Sequence, residues 1–205
     1  MRESAFEGLW AAVVGAAREG TALARFLVEC GASVTLSDLK PADQLTEGLR
    51  SIEGLPIRLA LGGHPANLLD ADVLFLSPGI PLTAPIVREA HERGVPISSE
   101  PRLFAQLYSN PALGITGSSG KTTTTALIGR MLGAAGKHVW VGGNIGRPLI
   151  GERGHEPVAE LAVMELSSFQ LELFRPETQG PEVASRRSQA SLAISLEPWS
   201  PHIAV

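Results

Sequence analysis

The chain has 205 residues, of which 44% are hydrophobic, 17 are basic and 21 are acidic, giving a formal net charge of −4. This length has room for one large domain or two small ones, and the absence of a basic block argues against a nucleic-acid partner. No apolar run approaches the roughly 18 residues of a membrane helix, and the N-terminus lacks the order of a signal peptide. We therefore expect a soluble cytoplasmic protein with no membrane partner, and the lone Cys30 is predicted to be a core residue.

The chain opens with a βαβ pattern. Residues 9–15 form an apolar run ending in glycine, residues 20–30 show helical apolar spacing, and residues 33–37 form a second strand that ends at Asp38. Glycines followed by an acid after the second strand are typical of dinucleotide-binding folds. The glycine pattern is imperfect, so a nicotinamide enzyme, another nucleotide binder and a plain structural turn all remain open.

Further strand and helix signals alternate up to residue 108. The strand at residues 72–76 stops at the sequence SPGIP, where Gly79 marks a tight turn that either exposes backbone N–H groups to a ligand or has only a structural role. The alternation predicts a small Rossmann-like parallel sheet with helices on both faces. The other predicted elements are strands at 57–61 and 96–99 and helices at 84–93 and 101–108.

We place a domain boundary near residue 110, where the sequence SNP interrupts the pattern. The prediction is a first α/β domain over residues 1–110 and a second, incomplete parallel α/β domain of the P-loop ATPase type over residues 111–205.

The most informative stretch is LGITGSSGKTTTT at residues 113–125. A short apolar strand, a glycine turn, Lys121 and a helix that opens with hydroxyl residues make a phosphate-binding loop, in which Thr122 offers a hydroxyl to a phosphate-bound Mg²⁺. Ile115 stands where the usual loop has a glycine, so the loop is of a shorter form. The alternative is a glycine–serine turn with a surface lysine. The predicted ATP contacts are Gly117, Ser118, Ser119, Gly120, Lys121, Thr122 and Thr123.

Two more strand ends carry candidate polar residues. The predicted strand at 137–141 is followed by GGNIG, in which Asn144 has an amide suited to a phosphate or an amine; a flexible hairpin-like loop is the alternative. The apolar strand at 159–164 ends at Glu165, a place where such proteins hold Mg²⁺, although the carboxylate would also cap a following helix.

The sequence LSSFQLE follows Glu165. Ser167 and Gln170 are candidate substrate contacts, whereas we expect apolar Leu166, Phe169 and Leu171 to pack in the core. Residues 174–200 show no clear period and are predicted to be irregular, and a short strand is expected at 202–205. The histidines at 64, 91, 138, 155 and 202 are not at metal-ligand spacing and are taken as surface or loop residues.

Taken together, the strand ending at Asp38, SPGIP, GITGSSGKTTT, GGNIG and ELSSFQLE resemble the Mur ligase family in order and spacing. The resemblance covers almost the whole chain up to residue 172. The last motif is similar to that of the branch that joins D-glutamate to UDP-N-acetylmuramoyl-L-alanine in peptidoglycan synthesis. Another Mur ligase, or a related folylpolyglutamate synthase, is the alternative.

The resemblance implies roles for particular residues. Arg18, Glu19 and Asp38 would lie near the UDP of the substrate and Gly79 near its diphosphate, although Leu39 departs from the polar residue often found after the aspartate. The second domain would bind Mg·ATP, with Thr122 and Glu165 at the metal and Lys121 at the phosphates. Asn144 and Ser167 would contact substrate. The implied chemistry is phosphorylation of a substrate carboxylate, followed by displacement of phosphate by the amine of D-glutamate.

The family also has an aspartate–histidine motif, a carbamylated lysine and a third domain, which do not occur in these 205 residues. The chain is therefore expected to be the first part of such an enzyme, with a C-terminal domain absent, and to bind ligands without completing the reaction. A monomer is favoured.

Overall fold

The computed structural model describes residues 6–145, 147–152 and 157–174 and the backbone of residues 203–204. The predictions that concern Gly146, His155, His202 and the segment 175–200 lie outside the described residues. Within the described part, no helix is both long and apolar enough to cross a membrane.

The first part of the chain forms a five-stranded sheet in which every strand pairing is parallel. Its strand order is β3-β2-β1-β4-β5, so β1 lies at the centre: β2 and β3 are added on one side of it and β4 and β5 on the other. The strands are β1 (Trp10–Val14), β2 (Ser33–Asp38), β3 (Ile57–Leu61), β4 (Val73–Leu76) and β5 (Ile97–Ser98).

Helices cover both faces of this sheet because its central strand is apolar on both sides. Ala11 and Val13 belong to one core cluster and Ala12 and Val14 to the other, as the two-residue period of a strand requires. The predicted Rossmann-like parallel sheet is confirmed. The helices are α1 (Arg18–Glu29), α2 (Thr46–Ser51), α3 (Pro85–Glu92) and α4 (Glu100–Leu107).

The second part of the chain forms a four-stranded parallel sheet with the order β7-β8-β6-β9. The strand predicted at 137–141 lies two residues later, so that the first two glycines of GGNIG belong to it. The elements are β6 (Ala112–Ile115), α5 (Lys121–Ala134), β7 (Val139–Gly143), β8 (Leu161–Glu165), α6 (Ser168–Glu172) and β9 (Ile203–Ala204).

The two sheets share one hydrophobic core through α4 and the residue that follows it. Tyr108 stacks on Phe104 with ring centroids 5.1 Å apart, and both rings lie against Trp140 of β7. The Tyr108 hydroxyl donates to the carbonyl of Ala159, just before β8, at 2.8 Å. The predicted boundary at residue 110 falls between the sheets, and the division into two domains stays a prediction.

The core differs from expectation at one apolar residue. Leu166 and Cys30 are buried as predicted, but Phe169 is 52% exposed, so its placement in the core was wrong. The helical period explains the exposure, because α6 is only five residues long and buries Gln170 against the body of the protein, which turns the preceding side chain outward.

Candidate functional site

The carboxyl ends of β6, β7 and β8 meet at one edge of the second sheet. In the register of the strands, Glu165 at the end of β8 pairs with Ile115 of β6 on one side and with Gly143 of β7 on the other. Open parallel sheets bind ligands at this edge. The three motifs that the sequence singled out in this half of the chain are therefore brought together.

The glycine loop between β6 and α5 has the conformation of a phosphate cradle. Gly117 and Gly120 have φ values of 142° and 79°, which residues with a side chain rarely adopt. The loop residues, Ser118 and Ser119 among them, are exposed. Lys121 begins α5, and its Nζ donates to the carbonyl oxygen of Gly117 at 2.7 Å. The lysine thus reaches back across the loop that it follows.

Glu165 is the centre of a hydrogen-bonded cluster at this edge. Its side chain is only 1% exposed, and its two carboxylate oxygens accept from different motifs. Oε2 accepts from the hydroxyl of Thr122 at 3.0 Å, and Oε1 accepts from Nδ2 of Asn144 at 3.1 Å. The loop after β7 does not make a hairpin, because β7 and β8 are parallel. Asn144 is instead fixed at the carboxylate, and its own N–H donates to the carbonyl of Glu165 at 2.9 Å.

The residues at this edge fit a magnesium–nucleotide complex. A hydroxyl and a carboxylate are the hard oxygen ligands that Mg²⁺ takes, together with phosphate oxygens and water. Among the described residues there is no group of three or more histidines, cysteines or carboxylates that would form a separate metal site. Thr122 and Glu165 are therefore the protein groups suited to hold Mg²⁺, and Lys121 with the loop amides is suited to the phosphates. Thr123 is also exposed at the start of α5.

Ser167, and not Glu165, caps α6. The Ser167 hydroxyl accepts from the N–H of Gln170 at 3.2 Å, and Gln170 Oε1 accepts from the N–H of Ser167 at 2.8 Å. This reciprocal pair is a capping box. It leaves Glu165 free of a capping role, so the alternative explanation of that residue was wrong. The same box fixes the turn that directly follows the carboxylate.

The first sheet has its own loop at a carboxyl edge, between β1 and α1. The N–H of Ala16 donates to Asp38 Oδ2 at 2.7 Å, and the N–H of Lys40 donates to Oδ1 at 2.9 Å. Gly15 has a φ of 102°, and a Cβ on it would lie 2.7 Å from the side chain of Ser77. Asp38 therefore holds the backbone of the glycine loop in place.

Gly79 lies in an exposed turn after β4. The N–H of Ile80 donates to the carbonyl of Ser77 at 3.0 Å, which confirms the turn predicted from SPGIP. A Cβ at Gly79 would meet no atom within 4 Å, so packing does not require a glycine there. The open space around this backbone is available to a ligand.

Arg18 and Glu19 lie on the first turn of α1, directly after the glycine loop. Arg18 lines a cavity together with Trp140 of β7 and Arg147. Glu19 is only 8% exposed, and burial raises its pKa to about 7, while the charge of Arg18 and a hydrogen bond with Gln170 lower it. Contact of these two residues with the nucleotide stays a prediction, whereas the burial of Glu19 shows that it faces the interior.

Several polar residues that build the first edge were not predicted from the sequence. Ser77 donates to the carbonyl of Gly15 at 3.0 Å, which ties β4 to the glycine loop. His64, taken as a surface or loop residue, is half-buried, and its Nδ1 lies 2.7 Å from the hydroxyl of Ser37. The pKa of His64 lies below its ordinary value, because burial lowers it more than the negative charge of Asp38 raises it. The only sequence signal for these contacts was a serine at the end of each of two apolar strands.

Two buried charged residues of α4 were also missed. Glu100 is 2% exposed, and its Oε1 accepts from the N–H of Ile150 at 2.7 Å, so it joins α4 to the 3₁₀ turn Leu149–Glu152. Arg102 is 1% exposed and donates to the carbonyl of Leu173, at the end of α6. Burial lowers the pKa of the Arg102 guanidinium. No hydrophobic period marks these residues in the sequence.

Comparison with known families accounts for both sheets. Residues 10–99 match the N-terminal domain of MurD-like Mur ligases, and residues 115–185 match the Mur ligase middle domain. The chain belongs to the Mur ligase family. The two matched regions hold the five-stranded sheet up to Ser98 and most of the four-stranded sheet.

Curated members of the family are similar over most of the chain. A UDP-N-acetylmuramoylalanine–D-glutamate ligase of Desulfosudis oleivorans is 45% identical over 168 residues, which are 80% of this chain and 37% of that protein. A ligase of the same name from Symbiobacterium thermophilum is 46% identical over 164 residues, or 80% and 36% of the two chains. The chain thus spans little more than a third of the length of the curated Mur ligases that it matches.

The fold is also that of a solved Mur ligase. The structure of a UDP-N-acetylmuramate:L-alanyl-γ-D-glutamyl-meso-diaminopimelate ligase from Neisseria meningitides matches with a TM-score of 0.50 at 22% identity. The match covers 82% of this chain and 58% of that one. At this identity the likeness supports the parallel α/β fold alone.

Proposed function

We propose that this chain is the nucleotide-binding part of an ATP-dependent amide ligase that joins D-glutamate to UDP-N-acetylmuramoyl-L-alanine in peptidoglycan synthesis. The observation that carries the proposal is the cluster in which Glu165 accepts from Thr122 of the phosphate loop and from Asn144 of the GGNIG loop. The names of the curated relatives support this choice of substrates. Both ATP and UDP-linked precursors are metabolites of the cytoplasm, where we propose that the enzyme acts.

The residues at the second edge divide the work of phosphoryl transfer. ATP supplies the phosphoryl group, and Mg²⁺ offsets the charge on its oxygens. The N–H groups of the loop from Gly117 to Gly120 bind the phosphates, and Lys121 adds a positive charge there once its bond to the loop carbonyl is released. Glu165 holds the Thr122 hydroxyl and the Asn144 amide in fixed positions, which is the preorganisation that electrostatic catalysis requires.

The first edge is proposed to bind the UDP portion of the substrate. Ala17, which follows the buried Gly15 and Ala16, and Gly79 are exposed, and a glycine loop after the first strand is where parallel α/β sheets take a diphosphate. Asp38 contributes indirectly, by holding the N–H of Ala16. The substrate carboxylate would then take up the phosphoryl group, and the amine of D-glutamate would displace phosphate.

Calorimetric titration and a ligation assay test the proposal. We expect the protein to bind Mg·AMPPNP and UDP-N-acetylmuramoyl-L-alanine, and the full-length enzyme that contains this chain to release phosphate from ATP when D-glutamate is the added amino acid. Titration with NAD(H) is the control for a nicotinamide-binding module and is expected to show no saturation. A preference for an amino acid other than D-glutamate would contradict the proposed substrate, and failure to bind either ligand would contradict the proposed site.

A further inference from the structure

His64 lies at the carboxyl edge of the first sheet, in the loop that follows β3. Two backbone bonds fix this loop to the end of β2: the N–H of Gly62 donates to the carbonyl of Lys40 at 3.1 Å, and the N–H of Gly63 donates to that of Asp38 at 3.2 Å. Because β2 lies between β3 and β1, the loop stands beside Asp38 on the side away from the glycine loop. His64 is therefore held at an edge where parallel α/β sheets bind ligands.

One nitrogen of the His64 ring is already bonded. Nδ1 lies 2.7 Å from the hydroxyl oxygen of Ser37, a fully buried residue of β2, whereas the carbonyl of Gly63 lies 3.3 Å from the same hydroxyl. A separation of 2.7 Å is the usual length for a hydroxyl donor and the short limit for a ring N–H donor, so we take the serine as the donor. The neutral ring then carries its proton on Nε2.

The second nitrogen of the ring is open to a ligand. Within the described part of the chain, His64 Nε2 makes no hydrogen bond, and it is not one of the buried polar atoms that lack a partner. The residue is half-buried, so Nε2 is in reach of the solvent at this edge. A ring that a buried serine orients, with a donor left over, is preorganised for binding.

The carboxylate of Asp38 leaves part of ligand recognition to its neighbours. In dinucleotide-binding folds, an acid at the end of the second strand binds a ribose hydroxyl. Here both carboxylate oxygens already accept from backbone, Oδ2 from the N–H of Ala16 at 2.7 Å and Oδ1 from the N–H of Lys40 at 2.9 Å. The carboxylate thus holds two turns in place, and a ligand at this edge gains from a further polar group.

We propose that the Nε2–H of His64 donates a hydrogen bond to the nucleoside half of the UDP-linked substrate. This inference rests on the proposed function of the first edge. With its diphosphate at the glycine loop after β1, the substrate extends its nucleoside over the end of β2 and toward the loop after β3. His64 is then a substrate-binding residue that lies far from the reacting carboxylate and contributes affinity.

Two amide substitutions separate the ligand contact from the contact with Ser37. The amide group of asparagine reaches the place of Nδ1, and the amide nitrogen of glutamine reaches the place of Nε2. His64→Gln should keep the affinity for UDP within about twofold of the unaltered protein. His64→Asn, which can still accept from Ser37, should weaken it about fivefold or more, the net effect of one hydrogen bond.

Calorimetric titration with UDP measures these affinities, with Mg·AMPPNP present throughout so that the phosphate loop of the second edge is occupied. His91→Asn, at an exposed position of α3, is the matched control and should keep the full affinity. If His64→Asn does not fold, His64→Leu takes its place, because leucine fills the space of the ring without a donor. The opposite ranking, with glutamine weaker than asparagine, would mean that His64 acts only through Ser37. Equal affinities of the two amide variants would also overturn the contact.

The pH dependence shows which half of the ligand His64 contacts. Among the described residues, the charge that acts on this ring is that of Asp38. A bond to the neutral nucleoside predicts that the ratio of UDP affinities of the unaltered protein and His64→Gln changes less than about twofold between pH 8 and pH 5. Contact with the diphosphate would make this ratio rise on acidification, because a protonated ring adds positive charge beside the phosphates, and such a rise would overturn the assignment.

The proposed function of the edge is tested separately by the unaltered protein. If it binds UDP but His64→Asn binds equally well, the inference about His64 is wrong and the proposed function stands. If the unaltered protein does not bind UDP, the proposed function of the first edge is overturned and the inference with it.

Discussion

At the scale of single residues, Glu165 is the buried acid at the centre of the second edge. Its carboxylate is almost fully buried, and each oxygen accepts a hydrogen bond from a residue at the carboxyl edge of the second sheet. A buried carboxylate is costly unless it is paired or holds a metal. The two neutral donors, Thr122 and Asn144, satisfy its geometry but leave its charge uncompensated, which favours a cation at this place.

Replacing this carboxylate should lower the affinity for Mg²⁺ and leave the affinity for the nucleotide nearly unchanged. For Glu165→Gln we expect the Mg²⁺ affinity of the nucleotide complex to fall by about tenfold or more, because a charge-assisted interaction is worth roughly 1.5–3 kcal/mol. Nucleotide affinity without Mg²⁺ should change by less than about twofold. Isothermal titration with AMPPNP at several Mg²⁺ concentrations measures both quantities.

Glu160→Gln is the matched control, since Glu160 lies just before the other end of β8 and pairs with Lys137 at the surface. Its Mg²⁺ dependence should equal that of the unaltered protein. An unchanged Mg²⁺ affinity in Glu165→Gln would show that the carboxylate does not contact the metal.

At the scale of elements, α1 approaches β1 and β4 more closely than any side chain would permit. A Cβ at Gly20 would lie 1.8 Å from the carbonyl oxygen of Gly15 and 2.9 Å from the hydroxyl of Ser77. The glycine is therefore needed for packing, because the helix must come this close for its N-terminus to sit beside the loop that precedes it. The close approach of helix and strands therefore explains the glycines at positions 15 and 20.

Gly20→Ala should destabilise the protein, whereas Gly133→Ala should not. We expect the free energy of unfolding to fall by about 2 kcal/mol or more, because the added methyl group meets backbone that cannot move away cheaply. Gly133→Ala, in the open part of α5, has nothing within 4 Å of the new Cβ. It should stabilise by about 0.5–1 kcal/mol through helix propensity. Urea denaturation followed by circular dichroism compares the two, and equal effects of the two substitutions would contradict the packing argument.

At the scale of the whole molecule, buried carboxylates join the two halves. Glu100 accepts from Ile150 in the turn after β7, and its Oε2 has no partner among the described residues. Burial raises the pKa of Glu100 from the ordinary value of 4.5 to about 8, and the nearby charge of Glu19 adds to the rise. The contacts between α4 and the turn Leu149–Glu152 therefore have a protonated carboxyl at their centre at neutral pH.

The stability of this junction should depend on pH. A carboxyl whose pKa is higher in the folded state binds more protons there than in the unfolded state between pH 4.5 and pH 8. The free energy of unfolding must then fall as the pH rises through that window, by on the order of 4 kcal/mol. Glu100→Gln removes the titrating group but keeps the acceptor for Ile150, so it should flatten this dependence.

Urea denaturation at pH 5.5 and pH 8 measures the effect. Glu29→Gln, at an exposed position on α1, should keep the slope of the unaltered protein. The opposite result, an unfolding free energy that rises with pH over this range in the unaltered protein and is indifferent to Glu100→Gln, would mean that Glu100 is ionised in the folded state.

Local sequence determined the elements and most of the second edge. The phosphate loop, Glu165 and Asn144 could be predicted because each follows directly on an apolar strand, and parallel strands bring such ends together without further information. The parallel order of both sheets followed from the same alternation of strands and helices. The family also followed from these motifs, since their residues, order and spacing can be read from the sequence without the fold.

Only the tertiary structure decided which polar residues turn inward. Phe169 was expected in the core and lies exposed, and the interior positions of Glu100 and Arg102 had no signal at all. The physical reason is that α4 and α6 are too short and too polar for a helical period to reveal the buried face. The two sheets pack around Phe104 and Tyr108, which meet the distant Trp140 only in the folded chain.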